Sequence, residues 1–284
     1  MSSTTPRPSK GERRDQAREQ ARALREQQRK REKRNRIISI SGLGVAVLVL
    51  VIVGVLIVRQ ADSTSGGVAY TGDDADTLAL ADVTSPSTAT DDGGILVGKS
   101  GVAGEGSADD DVVVTIYADY MCPYCGQFEQ ANDEELDSLR EEGGVTVDYR
   151  VISFLDAQSA GGQYSSRAGN AAAVVADQTP ELFTEFNTAL FAKQPKEGTK
   201  GLTDQEIADV AKDVGVPSAV IEKFTAAGDG DYRSFAPWLA ANTNQANKDL
   251  NGLSTPTVLI NGKKFEGDLY SAGPLTQAVE AAKG

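Results

Sequence analysis

The hydrophobic pattern divides the chain into four stretches. Residues 1–36 are charged and polar with Ala and Gln interleaved, and read as a solvated basic tail. Residues 37–58 carry no charge, and only Ser39 and Ser41 are polar. As a helix at about 1.5 Å per residue they would extend about 33 Å, enough for a hydrocarbon layer of about 30 Å. A buried core helix would keep a polar face. A cleaved signal peptide would have a shorter apolar region and a small-residue cleavage site, whereas Arg59 and Gln60 follow directly here. The pattern therefore predicts a retained transmembrane helix at 37–58. Residues 59–93, rich in Ser, Thr, Gly and Asp with little apolar periodicity, predict a flexible stalk.

From Gly94 onward the pattern is that of a folded domain. It predicts short strands at Ile95–Gly98 and Val112–Tyr117, a helix from Pro123 to about Glu142, and a strand at Val145–Ser153. Residues 165 to about 249 are mostly helical, with breaks near Pro180, Pro195–Gly201, Pro217 and Gly228–Gly230. A strand at Thr257–Ile260, a turn at Asn261–Gly262 and a strand near Lys263–Glu266 form a predicted hairpin. A helix at Leu275–Ala282 closes the chain. Strand, helix, strand, helical block, hairpin and helix make an α/β sandwich with a helical insertion at about 155–250.

Charge sharpens this division. Residues 1–36 hold thirteen Lys/Arg and five Asp/Glu, a net of +8, while the remaining 248 residues carry −21. Basic residues crowd the N-terminal side of the apolar stretch, from Arg29 to Arg36, and Arg59 stands almost alone on the other side. The positive-inside rule then places the N-terminus in the cytoplasm and the domain outside the cell membrane. The basic tail suits anionic lipid on the inner leaflet. The acidic domain argues against nucleic acid as a partner.

Composition removes most catalytic chemistries. The chain has no histidine and two cysteines. A Ser-His-Asp triad, a His-based metal site and a Cys₄ or Cys₂His₂ zinc site are all excluded, and no metal is expected. A soft nucleophile can come only from Cys122 or Cys125. The segment reads Asp119-Tyr120-Met121-Cys122-Pro123-Tyr124-Cys125. Pro123 suits the first position of a helix, so Cys122 falls at its N-cap. Backbone N–H groups and the positive end of the helix dipole would then favour the Cys122 thiolate. Cys125 lies one turn further in. Cys122 is the expected nucleophile and Cys125 the resolving thiol, with Pro123 and Tyr124 as active-site support. Asp119 either handles protons or, the favoured reading, caps and orients the turn. The competing reading is an inert disulfide, but a bridge closing so small a loop stabilises little.

These residues carry a resemblance. The cysteine segment resembles the D-[YF]-x-C-P-x-C motif of the DsbA-like thiol–disulfide oxidoreductases of the thioredoxin superfamily. Ala168 to Gln194, with Ala171-Ala172-Ala173, Phe186 and Leu190-Phe191, is similar to that family's helical insertion. Gly252-Leu253-Ser254-Thr255-Pro256-Thr257 followed by Asn261-Gly262 is similar to its G-x-x-[GS]-T-P-T…N-G segment. The apolar anchor, the stalk and Gly93-Gly94-Ile95-Leu96-Val97-Gly98 resemble membrane-bound actinobacterial members. The resemblance covers roughly residues 94–284 and implies a thioredoxin-like fold. It also implies a cis bond at Thr255–Pro256, with the backbone of Thr255 pairing to extended substrate, where Pro256 alone would read as a strand-start proline. Two positions depart from the commoner pattern. Ile116 stands where many members place an acidic residue, and Pro123-Tyr124 stands where many oxidases have a histidine between the cysteines.

The implied function is a dithiol oxidase that introduces disulfides into unfolded or exported cysteine-containing proteins. Its only redox group would be the Cys122–Cys125 disulfide, with no cofactor, recharged by a membrane partner of the DsbB or vitamin K epoxide reductase type. The alternatives are a reductase or isomerase using the same pair, and a non-catalytic module that only holds client chains.

Overall fold

The computed structural model describes residues 69–284 apart from 107, 109 and 229–231. The basic tail, the expected transmembrane helix at 37–58 and residues 59–68 of the expected stalk lie outside the described residues. Among the described residues no helix is long and apolar enough to cross a membrane.

The domain is built on a five-stranded sheet in the order β1-β3-β2-β4-β5. The strands are β1 (Ile95–Val97), β2 (Val112–Ala118), β3 (Val145–Val151), β4 (Thr257–Ile260) and β5 (Lys263–Lys264). Between β2 and β3 runs α1 (Pro123–Glu142), and a helical crossover of this kind is what lets two consecutive strands pair in parallel. Val112 pairs with Val145 and Ala118 with Val151. The other pairings are antiparallel. The turn joining β4 to β5 has positive φ at both Asn261 and Gly262, the backbone that an Asn-Gly hairpin favours.

Alternation along β2 explains the layers. Val112, Val114 and Ile116 point to one face, where they join a core with Phe128, Leu136 and Leu139 of α1 and Leu275 and Val279 of α7 (Pro274–Ala282). Tyr117 points to the other face and packs with Ile152 and with Ala246 of α6 (Ala236–Asp249). Helices therefore cover both faces of the sheet.

The insertion holds α2 (Tyr164–Gln178), α3 (Phe183–Ala192), α4 (Asp204–Asp213), α5 (Ser218–Ile221) and α6. From Tyr164 to Ala176 every residue of α2 is buried, as expected of a helix packed on all sides. The first turn of α4 closes with a capping box, Thr203 accepting from the Glu206 backbone N–H and Glu206 accepting from the Thr203 N–H. Asp204 ties α4 to two buried guanidiniums, Arg167 at 3.1 Å and Arg233 at 2.5 Å.

One expectation changes. Residues 69–93, read as part of a flexible stalk, fold against the domain. They include a short 3-10 helix at Leu80–Asp82, and Leu78 is buried. Asn244 donates to the Ala75 carbonyl at 2.8 Å, and the Ser87 N–H donates to Asp177 at 2.7 Å. Arg150 on β3 pairs with Asp92 at 2.7 Å while also holding Asp148. These partners are distant in sequence, so a window of small polar residues carried no local sign of them. The second hairpin strand is also shorter than expected, two residues where four were read.

Candidate active site

Cys122 is the N-cap of α1, with Pro123 in the first turn. Its carbonyl accepts the first helical hydrogen bonds, from Cys125 N–H at 3.0 Å and Gly126 N–H at 3.3 Å. Both cysteines are free thiols and both are buried. The Cys122 thiol donates to the Thr255 carbonyl at 3.3 Å. Thr255 and Pro256, 133 and 134 positions along the chain, are thus brought against the nucleophile, and the bond between them is cis.

The two sulfurs have opposite electrostatics. Cys122 is lowered from 9.0 to about 6. The largest cause is hydrogen bonding with the Cys125 thiol; burial opposes it, and the Thr255 side chain and the N–H groups of Cys125 and Tyr124 add to the lowering. Cys125 is pushed far up, first by burial and then by the neighbouring Cys122. One thiol is thus poised as an anion and the other is kept as an acid.

Asp119 organises the turn. It is fully buried and accepts three hydrogen bonds, from Met121 N–H at 2.8 Å, Leu155 N–H at 2.9 Å and the Ser165 hydroxyl at 2.7 Å. Burial raises its carboxyl to about 7 despite those donors. Tyr124 lies on the surface, 55% exposed, with its ring 5.9 Å from that of Tyr270.

Three contributors carried no signal in the sequence. Gln194, just beyond α3, donates to the Tyr120 carbonyl at 2.9 Å and the Cys122 carbonyl at 2.8 Å, pinning the insertion to the cysteine turn. A Cβ on Gly126 would collide with the Gln194 Oε1, so the absent side chain leaves room for this clamp. Glu129, one turn beyond Cys125, is buried and accepts from Asn187 at 2.6 Å and Thr188 at 3.1 Å. Asn187 in turn accepts from the buried Tyr120 hydroxyl at 2.9 Å. Burial, then the charge of Asp133, lifts Glu129 to about 8. Among the described residues no group of three His, Cys, Asp or Glu side chains is placed to hold a metal.

The thioredoxin family model matches residues 98–280, nearly two-thirds of the chain. The chain belongs to the thioredoxin family. Among solved structures, this thioredoxin-family chain is similar to MdbA, a thiol-disulfide oxidoreductase from Actinomyces oris. The TM-score is 0.58 at 27% identity, covering 72% of this chain and 96% of that one. It is also similar to reduced DsbA from Mycobacterium tuberculosis, at TM-score 0.50 and 26% identity, covering 67% and 99%. Among curated sequences it is 31% identical over 157 residues to the serine/threonine-protein kinase PknE of M. tuberculosis, covering 54% of this chain. The match spans about a quarter (27%) of that kinase's length.

Proposed function

We propose that the chain is a protein thiol–disulfide oxidoreductase that acts as a dithiol oxidase through Cys122 and Cys125. The observation that carries this reading is the contrast between the two sulfurs: Cys122 lowered to about 6 at a helix N-cap, Cys125 pushed up behind it. An inert disulfide has no need of that contrast. The likeness to two thiol–disulfide oxidoreductases over almost their whole length supports the same reading.

In the oxidised form a client thiolate attacks the Cys122 sulfur. The Cys122–Cys125 bond breaks, its electron pair leaves on Cys125, and that sulfur takes up a proton. A second client thiolate then attacks the client sulfur of the mixed disulfide and releases Cys122 as a thiolate. The client loses two electrons and the pair gains them. Cys122 is a good leaving group because its thiolate is stabilised, and that stabilisation of the reduced form makes the pair oxidising. Thr255 and Pro256 border the reacting sulfur, where an extended client segment would pair with the Thr255 backbone. No cofactor beyond the disulfide is needed.

The uncharged stretch at 37–58 and its basic N-terminal flank support single-pass anchoring in the cell membrane, with the domain outside. Clients would be exported cysteine-containing chains. A membrane oxidase of the DsbB or vitamin K epoxide reductase type would withdraw the two electrons, and the basic tail would rest on anionic lipid.

Equilibration of the full-length protein, in detergent, against glutathione tests the direction. A potential near about −120 mV supports the oxidase, and one near about −270 mV makes the chain a reductase. Failure to exchange at all leaves only the client-holding module.

A further inference from the structure

The chain beyond residue 36 carries −21, and its positive charge is mostly engaged inside the domain. Arg140 pairs with Asp137, Arg150 with Asp148 and Asp92, and Arg167 and Arg233 both pair with Asp204. One surface segment runs against this trend. The loop from α3 to α4 places Lys193, Lys196 and Lys200 within eight residues, with Glu197 as its one acid. All three lysines are exposed. Among the described residues the lysines in ion pairs are others, Lys264 and Lys283.

The backbone of this loop is fixed at three points. Gln194 clamps it to the carbonyls of Tyr120 and Cys122. The Gly198 N–H donates to the Gln158 carbonyl at 2.8 Å, and Arg167 donates to the Lys200 carbonyl at 3.0 Å. The N-terminal arm enters the domain at the same place. The Ala69 N–H donates to the Gln163 side chain at 3.3 Å, and the preceding Gly162 packs so closely on the Lys200 carbonyl that a Cβ there would collide with it. Tyr124 and Tyr270, the exposed large hydrophobic side chains, flank the same cysteine turn. Lysine loop, cysteine turn, two exposed tyrosines and the entry of the chain thus share one end of the domain. In sequence, ten residues separate Ala69 from the uncharged stretch at 37–58.

We propose that this end of the domain rests on an anionic lipid surface, with Lys193, Lys196 and Lys200 against the phosphate headgroups. This rests on the membrane-anchoring reading above and adds to it the face that meets the bilayer. An ammonium group near an anionic surface is attracted to it, whereas the acidic remainder of the domain is repelled, so the charge distribution selects one orientation. Tyrosine suits the headgroup layer, because its ring is apolar and its hydroxyl is wet. The fixed backbone means that the lysines need no reordering of the loop to meet the surface. The consequence is a redox pair turned toward the membrane, where a membrane oxidase would recharge it.

The test places the full-length chain in vesicles of phosphatidylcholine alone, or of equal parts phosphatidylcholine and phosphatidylglycerol. Exposed amines are labelled from outside with a membrane-impermeant reagent and located by mass spectrometry. The readout is labelling of Lys193, Lys196 and Lys200 relative to Lys263 and Lys264 of the same molecule, which lie in the hairpin at the far end of β4 from Pro256. That ratio is expected to fall roughly three- to tenfold in the anionic vesicles. It should recover at about 1 M salt, where the screening length is about 3 Å. A second effect of anionic lipid should be slower reaction of reduced Cys122 with a bulky maleimide than with a small one. Combining Lys193→Gln, Lys196→Gln and Lys200→Gln should remove that difference. A ratio that is equal in the two kinds of vesicle, or a fall that salt does not reverse, overturns the proposal while the anchoring reading stands. If alkaline carbonate strips the chain from both kinds of vesicle, the anchoring reading falls and the proposal with it.

Discussion

One helical turn separates two opposite environments in α1. At its tip, Cys122 meets backbone N–H groups, the Thr255 side chain and the Cys125 thiol, and is lowered to about 6. Inside the first turns, Cys125 is pushed up by burial and Glu129 is raised to about 8. Among the described residues no cation is paired with Glu129; its partners are the neutral Asn187 and Thr188. One short motif thereby makes two unlike thiols. A helix end supplies donors that have no other use, so it favours an anion. A helix interior has spent its donors on its own backbone, so burial there favours the neutral acid.

The comparison can be broken at its tip first. Cys122→Ser should abolish oxidation of dithiol peptides, a loss of at least about a thousandfold, because the remaining thiol is buried and protonated. Steady-state oxidation of a fluorescent dithiol peptide measures it. Asp119→Asn comes next. Three donors converge on the Asp119 carboxylate, and an amide offers one oxygen and an N–H₂ that faces a donor. Urea denaturation should show a loss of about 2 kcal/mol, within the range for a buried group left unpaired. Gln194→Ala should lose about 1 kcal/mol by the same assay, since two carbonyls at the cysteine turn lose a part-buried clamp.

The smallest effect at pH 5 is expected for Glu129→Gln. The native side chain is protonated there, and the amide oxygen still accepts from Asn187 and Thr188, so stability should stay within about 0.5 kcal/mol. The sign then changes with pH. The folded-state pKa of Glu129 lies above its ordinary 4.5, so the stability linked to the acid is complete below 4.5 and is lost as pH rises through about 8. Glu129→Gln removes that loss and should become more stable than the native chain by pH 8. Unfolding curves for the two proteins at pH 5 and 8 check it.

Much of this was legible in the sequence wherever the signal was local. Pro123 after Cys122 marked the start of α1, and Asn261–Gly262 marked the hairpin. The run of β-branched residues from Val112 to Ile116 marked β2, and the resemblance brought Thr255–Pro256 to the cysteines. What stayed hidden was long-range and polar. Gln194 meets Cys122 across 72 positions, Asp92 meets Arg150 across 58, and Tyr270 meets Tyr124 across 146. None of these residues has a neighbour in sequence that announces its partner. The same reason hid the docking of residues 69–93: its apolar run, Leu78 to Ala81 with Val83, is too short to show a period or to name the surface it meets.

The central claim is that the helix tip makes Cys122 a thiolate at neutral pH. Thiolate absorbance of the reduced full-length protein, followed from pH 4 to 10, tests it most directly. One transition is expected near pH 6, absent in Cys122→Ser, with the second thiol silent until well above pH 9. Two overlapping transitions near pH 9 would mean that the motif leaves both sulfurs ordinary, and would contradict the account.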